Sequence, residues 1–67
     1  MKTTDLIDSA MRKFPHAKQL AVDNFCFSAP KDKAANQANV AMDARLYNWN
    51  SDTVAAIKYV LSWEGKL

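Results

Sequence analysis

The sequence predicts an all-α fold, a small bundle of three or four helices in a single domain that spans residues 1–67. Only one glycine and two prolines interrupt the 67 residues. Apolar residues recur at helical spacing in several segments, and helix-capping residues precede them. An apolar fraction of 49% with 24% charged residues is typical of a folded globular chain. Because a domain this small buries a modest part of its surface, help from self-association is expected.

The first predicted helix begins near Thr3 or Thr4. Either hydroxyl can accept a hydrogen bond from the first turn, and Asp5 adds negative charge where the helix dipole favours it. Pro15 ends the helix, because the residue before a proline is pushed out of the helical region. The predicted apolar face comprises Leu6, Ile7, Ala10, Met11 and Phe14.

The next segment allows two interpretations. A short helix over His16–Phe25 would place Ala17, Leu20, Ala21 and Phe25 on one face. A strand over residues 20–27 is the alternative, because valine, phenylalanine and cysteine favour extended structure, and it would give an α+β fold. No other segment offers a convincing second strand, so the hydrogen-bonding groups of this strand would stay unpaired. The helix is therefore preferred.

The third predicted helix is the longest and follows a turn at residues 28–32. Residues 33–47 contain no helix breaker and many alanines, which let another helix approach closely. Lys33, Asn36 and Asp43 fall on its more polar side. The predicted apolar face comprises Ala35, Ala38, Met42, Leu46 and Trp49.

The last predicted helix is apolar around most of its circumference. Asn50 or Ser51 can cap it, and Gly65 can end it in the left-handed conformation. Two sets of apolar residues face different sides, so two coverings are expected, of which the third helix supplies one. The sets are Val54, Ile57, Val60 and Leu61, and Ala56, Tyr59 and Trp63.

No pattern in the sequence predicts a catalytic site, a metal site or a cofactor. His16 is the only histidine, and its neighbours supply no metal ligand. Cys26 is the only cysteine, which excludes an intrachain disulfide and indicates a reducing, cytoplasmic setting. The single glycine lies near the end, so no glycine-rich phosphate loop is present. We therefore expect a protein that is not an enzyme.

No segment has the length of uninterrupted apolar sequence that crosses a bilayer, so no membrane association is predicted. Tyr47, Trp49, Tyr59 and Trp63 are the strongest functional signal, because tyrosine and tryptophan are enriched where proteins bind each other. They predict a protein interface, either in a homodimer or with one protein partner. Phe25 and Phe27 would extend this interface if they are exposed.

DNA binding is the alternative, because two helices joined by residues 47–51 resemble a helix-turn-helix in outline. Arg12, Lys13 and Lys18 would then contact phosphates. The net charge is only +2, with both signs mixed along the chain, and Asp52 would repel phosphate at the start of the candidate recognition helix. Protein binding is therefore the preferred prediction.

Two blocks of sequence, Asn24–Pro30 and Met42–Asn50, resemble the small helical proteins encoded in the early regions of lambdoid bacteriophages and prophages. The resemblance implies a non-enzymatic accessory protein that adjusts phage development or host physiology by binding a macromolecule. It also implies a location in the cytoplasm of the bacterial host. It assigns no functional residue and no target.

Overall fold

A computed structural model of the protein describes residues 2–67, which form four helices and no strand. The predicted all-α bundle is confirmed, and the alternative strand at residues 20–27 is wrong because this segment is helical. Within the described residues, no helix is both long and apolar enough to cross a membrane. The helices are α1 (Thr3–Lys13), α2 (Gln19–Ser28), α3 (Lys33–Leu46) and α4 (Ser51–Trp63).

Helix α4 is the centre of the fold, since each of the other three helices packs against it. Helices α1 and α2 also pack against each other, whereas α3, among the helices of residues 2–67, contacts only α4. Ala56, Ile57, Val60 and Leu61 of α4 are completely buried. The prediction that α4 is covered on more than one side is confirmed. The second covering, which the sequence left unassigned, comes from α1 and α2 of the same chain.

The predicted ends of α4 are confirmed. The Asn50 side chain caps the helix by accepting a hydrogen bond from the Thr53 backbone N–H at 2.8 Å. Gly65 follows the helix with φ of +71°, and the Lys66 N–H returns to the Leu61 carbonyl at 2.8 Å. This pattern is a Schellman motif, in which glycine is favoured because it tolerates the left-handed region.

The start of α1 differs from the prediction. The helix begins directly after Lys2, which makes no side-chain capping bond. The Thr3 hydroxyl instead donates to the Glu64 carboxylate beyond the end of α4, so it joins two ends of the chain rather than capping a helix. The predicted apolar face of α1 is confirmed, with Leu6, Ile7 and Ala10 buried and with Met11 and Phe14 half-buried.

Helix α2 begins three residues later than predicted, and its buried face is different. Val22 and Cys26 are buried, whereas Leu20, predicted to face the core, is 78% exposed. Val22 and Cys26 lie one turn apart and define the face of α2 that packs in the core, and Leu20, two positions before Val22, falls on the opposite side. The Lys18 backbone N–H donates to the Thr53 hydroxyl at 2.8 Å, which fixes the turn before α2 against α4.

Helix α3 also has a different buried face from the predicted one. Val40 and Asn36 are buried, whereas Ala38, Met42 and Leu46 are exposed. Alanine gains little from burial, so Val40 determines which side of the helix faces α4. The Asn36 side-chain amide donates to the Pro30 carbonyl at 2.7 Å and to the Lys66 carbonyl at 2.8 Å, which makes its burial possible.

Candidate functional site

A groove of about 750 Å³ runs along α2 and is closed on its other side by the C-terminal part of α3 and the turn that follows. We call it the aromatic groove. Most of its surface is apolar, and its volume lies in the range of sites that bind ligands or side chains of a partner. It is lined by Lys18, Gln19, Leu20, Ala21, Asn24, Phe25, Ser28, Asp43, Tyr47 and Trp49.

Three aromatic side chains form the aromatic part of the groove. The Trp49 ring stacks on the Tyr47 ring, with centroids 5.9 Å apart and planes inclined by 24°. Phe25 and Trp49 pack edge to face, with ring centroids 5.9 Å apart and planes inclined by 81°. Trp49 and Phe25 are half-buried and pack against the core, whereas Tyr47 is 61% exposed. The groove therefore has a fixed base and a solvent-facing aromatic wall.

A left-handed residue places these aromatics. Asn48 has φ of +54°, and the Trp49 N–H returns to the Ala44 carbonyl at 3.0 Å, so α3 ends in a Schellman motif. Asparagine is one of the few residues other than glycine that tolerate this conformation. The reversal at Asn48 turns the chain sharply and brings Trp49 beside Tyr47.

The rim of the groove combines an exposed leucine with two opposite charges. Leu20 lies on the α2 side and is largely in solvent. Lys18 and Asp43 also line the groove, from the α2 side and the α3 side respectively. They do not form a salt bridge with each other, since the single salt bridge within residues 2–67 joins Lys66 to Glu64. Both charges are available to a bound partner.

The other two predicted interface aromatics lie in a second cluster. Tyr59 packs edge to face with Phe14 and with Trp63, with ring centroids 6.3 Å and 6.4 Å apart. The Lys13 ammonium lies 5.9 Å from the Tyr59 ring centroid. Trp63 is 67% exposed. Within the described residues no aromatic contact joins this cluster to Tyr47 and Trp49. The four aromatics predicted to share one surface therefore occupy two.

The start of α4 is occupied by hydrogen bonds to the turn between α1 and α2. Asp52 accepts from the His16 backbone N–H at 3.0 Å, and the Asn50 side-chain amide donates to the His16 carbonyl at 2.8 Å. Thr53 is fully buried and donates its hydroxyl to the Asn50 side-chain oxygen at 2.6 Å. DNA binding stays a prediction, but these side chains hold the fold together and are not free to contact bases.

The predicted phosphate contacts do not converge on one surface. Arg12 and Lys13 end α1, and Lys13 lies over Tyr59, whereas Lys18 precedes α2 and lines the aromatic groove. All three are exposed. A concentrated basic face, which non-specific binding to phosphates requires, is not formed by this group.

The two residues considered for chemistry are placed apart. His16 is exposed in the turn after α1, whereas Cys26 is completely buried in α2. No group of three histidine, cysteine or carboxylate side chains within residues 2–67 is placed to hold a metal ion. Burial, together with the weaker effect of the negative charge of Glu64, raises the pKa of the Cys26 thiol to about 12. A protonated, buried thiol is a poor nucleophile.

Cys26 predicts a loss of stability in alkaline solution. The thiol of the unfolded chain titrates near its ordinary pKa of 9.0, whereas the folded state keeps it protonated up to about pH 12. Its contribution is therefore complete below pH 9 and is lost as the pH rises from 9 towards 12. We expect the urea midpoint of the wild type to fall more steeply over this range than that of Cys26→Ala. Parallel curves would contradict the assignment.

Comparison of the chain with protein families, curated proteins and solved structures gives no significant match. The site is therefore interpreted from its geometry. Sequence reasoning named Tyr47 and Trp49 and included Phe25 conditionally, but it missed Leu20 and Asp43. No local signal in the sequence distinguishes Leu20 from a core leucine.

Proposed function

We propose that this protein is a non-enzymatic accessory protein that acts by binding another protein through the aromatic groove. The observation that supports the proposal most directly is the arrangement of Phe25, Tyr47 and Trp49 beside the exposed Leu20. Tryptophan and tyrosine in a preformed apolar depression are the residues that dominate binding energy at protein interfaces. Their rings are held by each other, so little conformational freedom is lost when a partner binds.

The shape of the groove favours an apolar segment of helix as the bound element. The groove lies between two helical walls, α2 and the end of α3, and its apolar lining is flanked by Lys18 and Asp43. An amphipathic helix presents side chains at positions i, i+3 or i+4 and i+7, which enter such a groove in a row. Opposite charges at the rim would orient this helix by pairing with its own charges.

The resemblance to early proteins of lambdoid phages supports an accessory role. Both blocks that carry the resemblance line the groove. Asn24, Phe25 and Ser28 come from the first block, and Asp43, Tyr47 and Trp49 come from the second. We propose that the protein adjusts phage development or host physiology in the cytoplasm of a bacterial host, and that its interaction surface is the groove.

Capture of bound protein with two matched variants tests this proposal. Tyr47→Ala removes the exposed aromatic wall of the groove, and Trp63→Ala removes an equally exposed aromatic from the second cluster. The amount of protein captured by tagged Tyr47→Ala should be at least about tenfold lower than that captured by the wild type. Truncation of a hot-spot residue costs about 2 kcal/mol or more of binding free energy. Trp63→Ala should retain the wild-type amount.

Both substitutions remove mainly exposed surface, so circular dichroism should show a folded protein in each case. Equal retention by wild type and Tyr47→Ala would refute the proposed groove function. Loss of bound protein only in Trp63→Ala would show that the interface is the second cluster, around Tyr59 and Trp63.

A further inference from the structure

We infer that the partner in the aromatic groove is a second copy of this chain, in a two-fold symmetric dimer. This inference rests on the proposed function and names the partner. In a two-fold interface the same patch lies on both copies, so the patch must be complementary to itself. It must carry both a protruding group and a depression, and each charge on it must be matched by an opposite one.

The aromatic groove meets the first requirement. Leu20 protrudes from the α2 side with 78% of its surface exposed, and the depression lined by Phe25, Tyr47 and Trp49 lies beside it. A two-fold axis along the groove places the α2 side of each copy against the α3 side of the other. Leu20 of each copy then enters the depression of its neighbour, so that two identical apolar contacts form.

The charges meet the second requirement. Lys18 lines the α2 side and Asp43 lines the α3 side, and neither has a salt-bridge partner within residues 2–67. The same axis brings Lys18 of one copy to Asp43 of the other, twice in the dimer. A groove that bound a basic or an acidic peptide would instead carry an excess of one sign. The lining has one charge of each sign, which matches a copy of itself.

A dimer of ordinary size needs more surface than the groove alone. Such an interface takes about 800 Å² from each partner, which is a substantial part of the 4322 Å² surface of this chain. The groove must therefore be joined by neighbouring surface. Leu46 and Met42 lie one turn apart on α3 and are 68% and 59% exposed. They line a separate, shallow depression on α3 and could supply such surface.

A charge exchange between two variants tests the dimer. Lys18→Asp alone places two carboxylates at each predicted contact, and Asp43→Lys alone places two ammonium groups there. We expect the dimer dissociation constant of each variant, measured by analytical ultracentrifugation, to rise at least about tenfold. An equimolar mixture of the two variants should associate as tightly as the wild type, because every contact in the mixed dimer joins opposite charges.

Restoration by mixing requires that the two charges meet between copies, since a contact within one chain cannot be repaired by a second chain. Leu20→Glu should abolish the dimer, and Trp63→Ala should leave it intact. A wild type that is monomeric at several hundred micromolar, or a mixture no tighter than its components, would overturn the inference. In that case, the groove function would still stand if Tyr47→Ala captured less of a different protein than the wild type does. It would fail if both captured the same amount.

Discussion

Leu61→Ala should lower the free energy of unfolding by about 3 kcal/mol, whereas the same substitution at Leu46 should lower it by less than about 0.5 kcal/mol. Leu61 is 0% exposed in the central helix and Leu46 is 68% exposed on α3. Truncation at Leu61 removes buried apolar surface and leaves a cavity among helices that cannot fully close around it. Truncation at Leu46 removes surface that is already largely hydrated.

Urea unfolding followed by circular dichroism at low protein concentration measures both effects. A domain of this length has a total stability on the order of 3–10 kcal/mol, so Leu61→Ala should leave it close to unfolding at room temperature. The sequence alone placed both leucines on apolar helix faces. A similar loss from the two variants would mean that α3 packs by its predicted face and that α4 is not the central helix.

Much of α4 could be predicted from the sequence because its signals are local. Asn50 caps a helix whose first turn follows immediately, and Gly65 stands where the chain needs positive φ. The apolar residues of α4 are large, so their spacing shows that more than one side is covered. What the spacing cannot show is where the covering comes from. The second covering comes from α1 and α2, which pack on the side of α4 that α3 leaves free.

The rotation of α2 and α3 could not be predicted because it is set by contacts distant in sequence. Leu20 is apolar like a core residue, yet the burial of Val22 and Cys26 leaves it on the opposite side of α2, in solvent. The turn before this helix is held by the bond from the Lys18 N–H to Thr53, 35 positions away. Asn36 has the composition of a surface residue, yet carbonyls from two other segments bury it. Helix α3 has small residues on several sides, so its apolar pattern gives little preference for one face.

The groove is a further consequence of these rotations. Tyr47 and Trp49 were recognisable as interface residues by type alone. Their connection to Leu20 and Phe25 required the correct rotation of α2, and the position of Asp43 opposite Lys18 on the rim of the groove required the correct face of α3. If Leu20 lay in the core, as its sequence pattern predicts, the proposed dimer would have no protruding residue. The aromatic residues would then not combine with it into one surface.

Asn36→Asp should lower the free energy of unfolding at pH 7 by at least about 3 kcal/mol, the cost of a buried charge without a partner. The side-chain amide of Asn36 is completely buried and donates to the carbonyls of Pro30 and Lys66. A carboxylate has the same shape but no hydrogen to donate, so three or more oxygens would face each other away from water. The Asn36 side-chain oxygen already lacks a hydrogen-bond partner within residues 2–67, so the new charge gains no compensating donor.

The loss should depend on pH in a defined direction. Burial beside carbonyl oxygens raises the pKa of the introduced carboxyl in the folded state above its unfolded value of about 4. The group is therefore tolerated below pH 4, where it is protonated in both states, and stability falls as the pH rises above that value.

Gln37→Glu makes the same chemical change at the next, exposed position of α3 and should alter stability by less than about 0.5 kcal/mol. Urea midpoints of both variants at pH 3.5 and pH 7 separate burial of charge from the change in net charge. If Asn36→Asp were no less stable than Gln37→Glu at pH 7, Asn36 would not be the buried link between the start of α3 and the chain beyond α4.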